Sequence, residues 1–129
     1  MNLGNLLQRL TGSAEEVSAT HAFPHVDLFH WKPSGNQHNF GDHLSRIIVT
    51  KMLADRQHVL DEETPQSRTL LAIGSILHFA HDNDVVWGSG VNGKIAAEAH
   101  RFSTLDVRAV RGPLTQAFLQ ERGIDVPSV

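Results

Sequence analysis

The sequence predicts an α/β fold built on a largely parallel sheet with flanking helices. Three observations carry that expectation. Short apolar runs of strand length recur at residues 26–31, 69–73, 85–87 and 105–111. Segments with helical periodicity separate or follow them, and most of the runs end in a turn of small residues, as strand-to-helix junctions do.

Val26 to Trp31 alternates apolar with polar side chains and is rich in β-formers, which predicts the first strand. The loop KPSGNQHNFG follows. Asp42 is the expected N-cap of the next helix, because its carboxylate can accept from amides of the first turn. Leu44, Ile47, Ile48 and Met52 recur at helical spacing and give that helix an apolar face for the sheet. TLLAI at 69–73 is a continuous apolar run of the kind found in strands buried on both faces. Gly74 and Ser75 end it, and ILHFA begins a helical turn.

Val85 to Trp87 reads as another short strand, terminated by GSG at 88–90. LDVRAVR at 105–111 reads as extended. Gly112 then breaks the strand and places Pro113 at the favoured first position of the helix in GPLTQAFLQERG. Gly123 closes that helix as its C′ residue, with Arg122 in the last turn where a cation suits the dipole. IDVPSV reads as the start of one more strand.

A length of 129 residues fits one layered domain. Residues 11–24 and 61–68 read as connections. Leu3, Leu6, Leu7 and Leu10 fall at helical spacing, so residues 1–24 are expected to hold a short docking helix and a linker, with the domain occupying 25–129. A net charge of −3 from interspersed acidic and basic residues lacks the basic footprint of a nucleic-acid binder. The absence of cysteine removes disulfides, thiolate metal sites and cysteine nucleophiles. No run approaches the ~18 apolar residues of a spanning helix, and no signal peptide is evident.

In an open α/β sheet, ligands bind beyond the carboxyl ends of the strands. Those ends are NFGD, GSIL, GSG and RGP. Turns of this kind at helix N-termini expose amides that favour phosphate or carboxylate, so Gly74 with Ser75 and Gly112 with Pro113 are candidate anion contacts. Arg111, at the end of its strand, can make bidentate bonds to such an anion; an ion pair with Asp106 or Asp42 is the plainer alternative. Arg108, three residues earlier and on the opposite face by strict alternation, reads as ion-paired or solvated.

Nine histidines invite a metal reading, but no HxxxH or HExxH pair occurs and no metal is expected. His38 or His43 fits better as an acid/base or acceptor contact. Trp87 could stack on a sugar or belong to the core. The serine-hydrolase, Walker and dinucleotide motifs are all missing.

The stretches NFGDHLSRIIV, LLAIGSILHFA, DVVWGSGVNGK and FSTLDVRAVRGPLTQAFLQERGIDVP, in this order and spacing, resemble the polysaccharide pyruvyl transferase family. The similarity is particular to the ketal pyruvate transferases of xanthan-type exopolysaccharide synthesis. It implies a GT-B-like architecture of two Rossmann-like domains, with this chain supplying the N-terminal one and ending before the C-terminal one. The implied reaction transfers pyruvate from phosphoenolpyruvate to two hydroxyls of a terminal hexose on a lipid-linked oligosaccharide. A cyclic 4,6-ketal forms, phosphate leaves, and no cofactor is required.

By position, the resemblance assigns Asp42 to orienting the acceptor or shaping the cleft and Arg111 to the donor anion. Substrate contacts are expected from Asn39, Gly41, His43, Gly74, Ser75, Ser89 and Gly112. A serine-x-histidine-glycine motif found towards the C-terminus of family members has no counterpart here, which leaves the general acid/base open. The implied location is cytoplasmic, at the inner face of the plasma membrane, with peripheral membrane association. The alternatives are a nucleotide-sugar glycosyltransferase of similar fold and an anion-binding chain without turnover.

Overall fold

The computed structural model describes residues 27–29, 31, 35, 40–58, 60 and 67–127, with the side chain of Asp42 excepted. The expected helix at 2–11, the linker at 11–24, most of the 61–68 connection, His30, His38 and Asn39 lie outside the described residues. In chain order the elements are β1 (Asp27–Leu28), α1 (Phe40–Asp55), β2 (Thr69–Leu71), β3 (Val85–Trp87), β4 (Asp106–Ala109) and α2 (Pro113–Glu121). Two 3-10 turns, Leu77–Phe79 and Ala97–Ala99, lie in the connections. The strands form one sheet in the order β1-β2-β3-β4, and every pair is parallel.

This is an α/β, Rossmann-like arrangement, and alternation along the strands divides its core in two. Leu28, Leu70, Ala72 and Trp87 point to the face covered by Val49 and Leu53 of α1. Leu71, Val86 and Val107 point to the other face, against Leu77, Phe102 and Leu119 of α2. Trp87 is therefore a core residue and not a sugar platform. The sheet order is sequential and contains no reversal, so a site here is located by the carboxyl edge alone.

β2 and β4 are shorter than the apolar runs that encode them. At the end of β2, Ile73 donates its amide to Ser45 Oγ (2.9 Å), and the same hydroxyl donates to the Ile73 carbonyl (3.3 Å). The backbone of residue 73 thus bonds to α1 and not to a neighbouring strand. That pairing also corrects the expected face of α1. Ser45 (1 % exposed) and Val49 (4 %) face the sheet, whereas Ile47 (55 %) and Met52 (47 %) are exposed. A hydroxyl anchored to a strand end rotates the helix away from the face its apolar residues describe. The helix also begins at Phe40, so Asp42 lies in its first turn and is not its N-cap.

β4 carries a bulge. Val86 pairs with Val107 but Trp87 pairs with Ala109, leaving Arg108 as the extra residue. Val107 and Val110, three apart, consequently both reach the same core. The inference that Arg108 and Arg111 lie on opposite faces assumed unbroken alternation, and the bulge removes its basis.

α2 ends as expected. Gly123 adopts φ +75°, its amide donates to Gln120 O (2.9 Å), and the amide of Ile124 donates to Leu119 O (3.0 Å). These two bonds, with Ile124 and Leu119 packed in one core, form a Schellman closure. Residues 124–127 join no strand, although Ile124 and Val126 are both buried.

Candidate functional site at the carboxyl edge of the sheet

Charge is arranged differently at the two ends of the strands. At the amino edge the ions satisfy one another: Asp106 accepts from Arg68 (2.7 Å) and Arg108 (2.7 Å), giving Arg108 the ion-pair role read for it. Those hydrogen bonds, from Arg108 first and Arg68 second, hold the Asp106 carboxyl below its ordinary range. Buried Asp84 accepts from the amides of Thr69 (2.8 Å) and His81 (2.8 Å). Asp82 accepts from the amides of Ser103 (2.6 Å) and Thr104 (3.1 Å), which lower its pKa.

At the carboxyl edge three turns are tied together by backbone. Gly74 has φ +123°, a conformation that favours glycine, and its carbonyl accepts from the Gly90 amide (3.0 Å) and the Ser89 hydroxyl (3.2 Å). Gly88 donates to Ala109 O (2.9 Å) and Arg111 to Ser89 O (3.2 Å). The Val91 amide donates to Thr115 Oγ1 (3.2 Å), joining the same loop to the first turn of α2.

Arg111 crosses this platform. Its guanidinium donates to the Ser75 hydroxyl and to the Val91 carbonyl (2.8 Å). The passage exists because residue 90 is glycine: a Cβ there would stand 2.7 Å from Arg111 Nε and 2.9 Å from Cζ. Among the described residues no carboxylate pairs with Arg111, and Asp106 is engaged at the opposite edge. A guanidinium has more N–H donors than these two bonds use. At Gly112 the backbone is extended (φ 174°) and a Cβ would meet nothing within 4 Å, so the entry to α2 beside Arg111 is open.

Beside this platform lies a cleft of about 530 Å³, lined by Gly41, Gly74, Ser75, Ile76, Asn92, Trp31, His78 and Phe79. Trp31 (40 % exposed) and Phe79 (37 %) present apolar rings to it, and Phe79 stacks on Phe29 at 5.0 Å. Burial, and secondarily the neighbouring His100, push the His78 imidazole below the ordinary histidine value.

Comparison with known proteins finds no family model that matches the chain, and no curated protein or solved structure with significant similarity to it. The site is therefore read from its own residues.

Of the residues expected there, Gly74, Ser75, Arg111 and Gly112 come together, and Gly41 of α1 reaches the cleft wall. Ser89 is wholly buried with its hydroxyl on Gly74 O, so it braces the turn and presents nothing to a ligand. His43 is exposed, roughly 200° around α1 from Gly41, and does not line the cleft. Trp31, His78, Phe79 and Asn92 escaped the sequence reading, and Gly90 entered it only as the last residue of the GSG turn. His78, three residues after the Gly74–Ser75 turn, was the one with a detectable signal, as a polar residue inside ILHFA. Among the described residues no three His, Asp or Glu side chains gather as a metal site, and no helix is long and apolar enough to cross a membrane.

Proposed function

We propose that this chain acts in ketal pyruvyl transfer, moving pyruvate from phosphoenolpyruvate to a terminal hexose of a lipid-linked exopolysaccharide unit and releasing phosphate. The observation that carries the reading is Arg111, a cation at the carboxyl edge held by a hydroxyl and a carbonyl without a carboxylate partner among the described residues. Phosphoenolpyruvate carries a carboxylate and a phosphate, and a guanidinium beside an open helix N-terminus suits such a donor. Ser75, fixed by Arg111, and the Gly74 turn supply the neighbouring wall.

The exposed rings of Trp31 and Phe79 favour a pyranose on the acceptor side, because the apolar face of a sugar packs against aromatic surfaces. Protonation of the enol carbon generates an oxocarbenium-like centre. One hydroxyl attacks it, and the second replaces phosphate. Positive charge near the departing phosphate favours that step electrostatically.

In this reading the chain is the N-terminal Rossmann-like domain of a GT-B-like enzyme working at the cytoplasmic face of the membrane, where its lipid-linked acceptor resides. Calorimetry separates it from a nucleotide-sugar glycosyltransferase. Saturable binding of phosphoenolpyruvate, weakened by Arg111→Ala, supports pyruvyl transfer; binding of nucleotide sugars but not of phosphoenolpyruvate refutes it.

A further inference from the structure

Two imidazoles at the back of the cleft are unusual in leaving interior nitrogens without partners. His78 lines the cleft, and its Nδ1 is buried and makes no hydrogen bond. Its Nε2 is thus the nitrogen open to the cleft. Behind it, His100 is 4 % exposed, and its Nδ1 faces the carbonyls of Ala96 (3.2 Å) and Ala97 (3.3 Å). Those acceptors place the ring proton on Nδ1 and leave Nε2 as a lone pair, which is buried and unpartnered.

The two rings meet edge to face with centroids 6.1 Å apart. Phe102 and Phe118 pack on His100 at 5.9 and 4.7 Å, and Arg122, lying over both phenyl rings, donates to the carbonyls of His100 and Ala97. A buried polar group with no partner calls for an explanation. The two vacancies do not fill one another, since no hydrogen bond joins His78 Nδ1 to His100 Nε2, and the rings meet through packing alone.

We infer that His78 is the base of the cleft, its Nε2 taking the proton of the sugar hydroxyl that displaces phosphate, with His100 as the positioning residue whose ring packs edge to face on it. The inference rests on the pyruvyl-transfer reading above. In the step, the hydroxyl O–H bond breaks as its oxygen bonds to the ketal carbon. The bond from that carbon to the phosphate oxygen breaks and its electron pair leaves with phosphate. His78 then passes the proton to the departing phosphate, which restores the neutral ring. No further reactant is needed. Of the titratable groups around His78, His100 meets it ring to ring, Arg122 bonds the His100 carbonyl, Arg111 is bonded to Ser75, and no carboxylate of the described residues pairs with it. A histidine held below its ordinary value is in its basic form at neutral pH.

The test compares the two-domain enzyme that this reading assigns to the chain with its His78→Gln and His100→Gln variants, measuring phosphoenolpyruvate Kd by calorimetry and phosphate release between about pH 5 and 8. The expected result is a fall in kcat of about 10²- to 10⁴-fold for His78→Gln, with Kd within about threefold of the parent and the acid limb of the profile abolished. His100→Gln should move that limb and lower kcat by about 10- to 100-fold. An unchanged limb and kcat in His78→Gln overturns the inference while leaving pyruvyl transfer intact. A two-domain parent enzyme silent towards every acceptor overturns the reading beneath it. Imidazole ¹⁵N spectra of the parent need no folded variant: a His78 Nε2 signal that ignores added phosphoenolpyruvate also contradicts the proposal.

Discussion

Arg111 and Ser75, 36 positions apart in the chain, are joined by a guanidinium-to-hydroxyl hydrogen bond across the carboxyl edge of the sheet. The bond depends on parallel pairing, which puts the ends of β2 and β4 at one edge, and on the β3 turn between them. It orients a cation without neutralising it. The amino edge lacks that property, because Arg68 and Arg108 both end on Asp106.

Substitution of Arg111 tests this cation. Arg111→Ala should weaken phosphoenolpyruvate binding by about 1.5–3 kcal/mol, roughly 10- to 150-fold in Kd. Arg111→Lys keeps the charge but loses the planar fork and should fall between the two. Because Arg111 is exposed, the urea midpoint should shift little, about 0.5 kcal/mol or less. Calorimetry and urea unfolding of the same preparations separate the effects.

Gly90→Ala reaches the same cation without touching its charge. The added methyl would approach Arg111 Nε at 2.7 Å and must push the guanidinium off Ser75 and Val91. Anion affinity should drop about tenfold, the equivalent of one charge-assisted hydrogen bond. Retained affinity would mean that the position of the guanidinium is unimportant.

Ser45→Ala tests the anchor between α1 and β2. Both polar groups of Ile73 lose their partner at a site where Ser45 is 1 % exposed. The expected cost is about 1–3 kcal/mol, the desolvation penalty of buried groups left unmade, read from the urea midpoint.

The pH dependence of stability follows from two depressed pKa values. His78 is held below its ordinary value by burial and then by His100. Between that folded value and the unfolded value of about 6.5, the unfolded chain binds more protons, so His78 makes stability rise with pH across this window. His78→Gln should flatten the slope there. Asp82 is lowered by the Ser103 and Thr104 amides, so its contribution is present above the unfolded carboxylate value of about 3.9 and disappears as pH falls through the folded one. Asp82→Asn should remove that acid-side loss, as thermal unfolding at stepped pH will show.

The elements were legible because their signals are local. TLLAI, VVW and the RGP junction each specify a strand or helix start within a few residues, and Gly123 closes α2 through its own backbone. What could not be read depended on contacts distant in sequence. The face of α1 turns on Ser45 meeting Ile73, 28 positions away. The bulge at Arg108 exists only in register with Trp87. Ser89 looked like a ligand contact until the fold buried it under Gly74. His78 and His100 carry no motif, and packing alone brings their rings together.

The central claim is tested most directly by following inorganic phosphate released from phosphoenolpyruvate in the presence of a lipid-linked glucose- or mannose-terminated oligosaccharide. Pyruvyl transfer predicts acceptor-dependent phosphate release that matches ketal formed and is lost in Arg111→Ala. Absence of acceptor-dependent release across such acceptors from the folded two-domain enzyme that this reading assigns to the chain would contradict it.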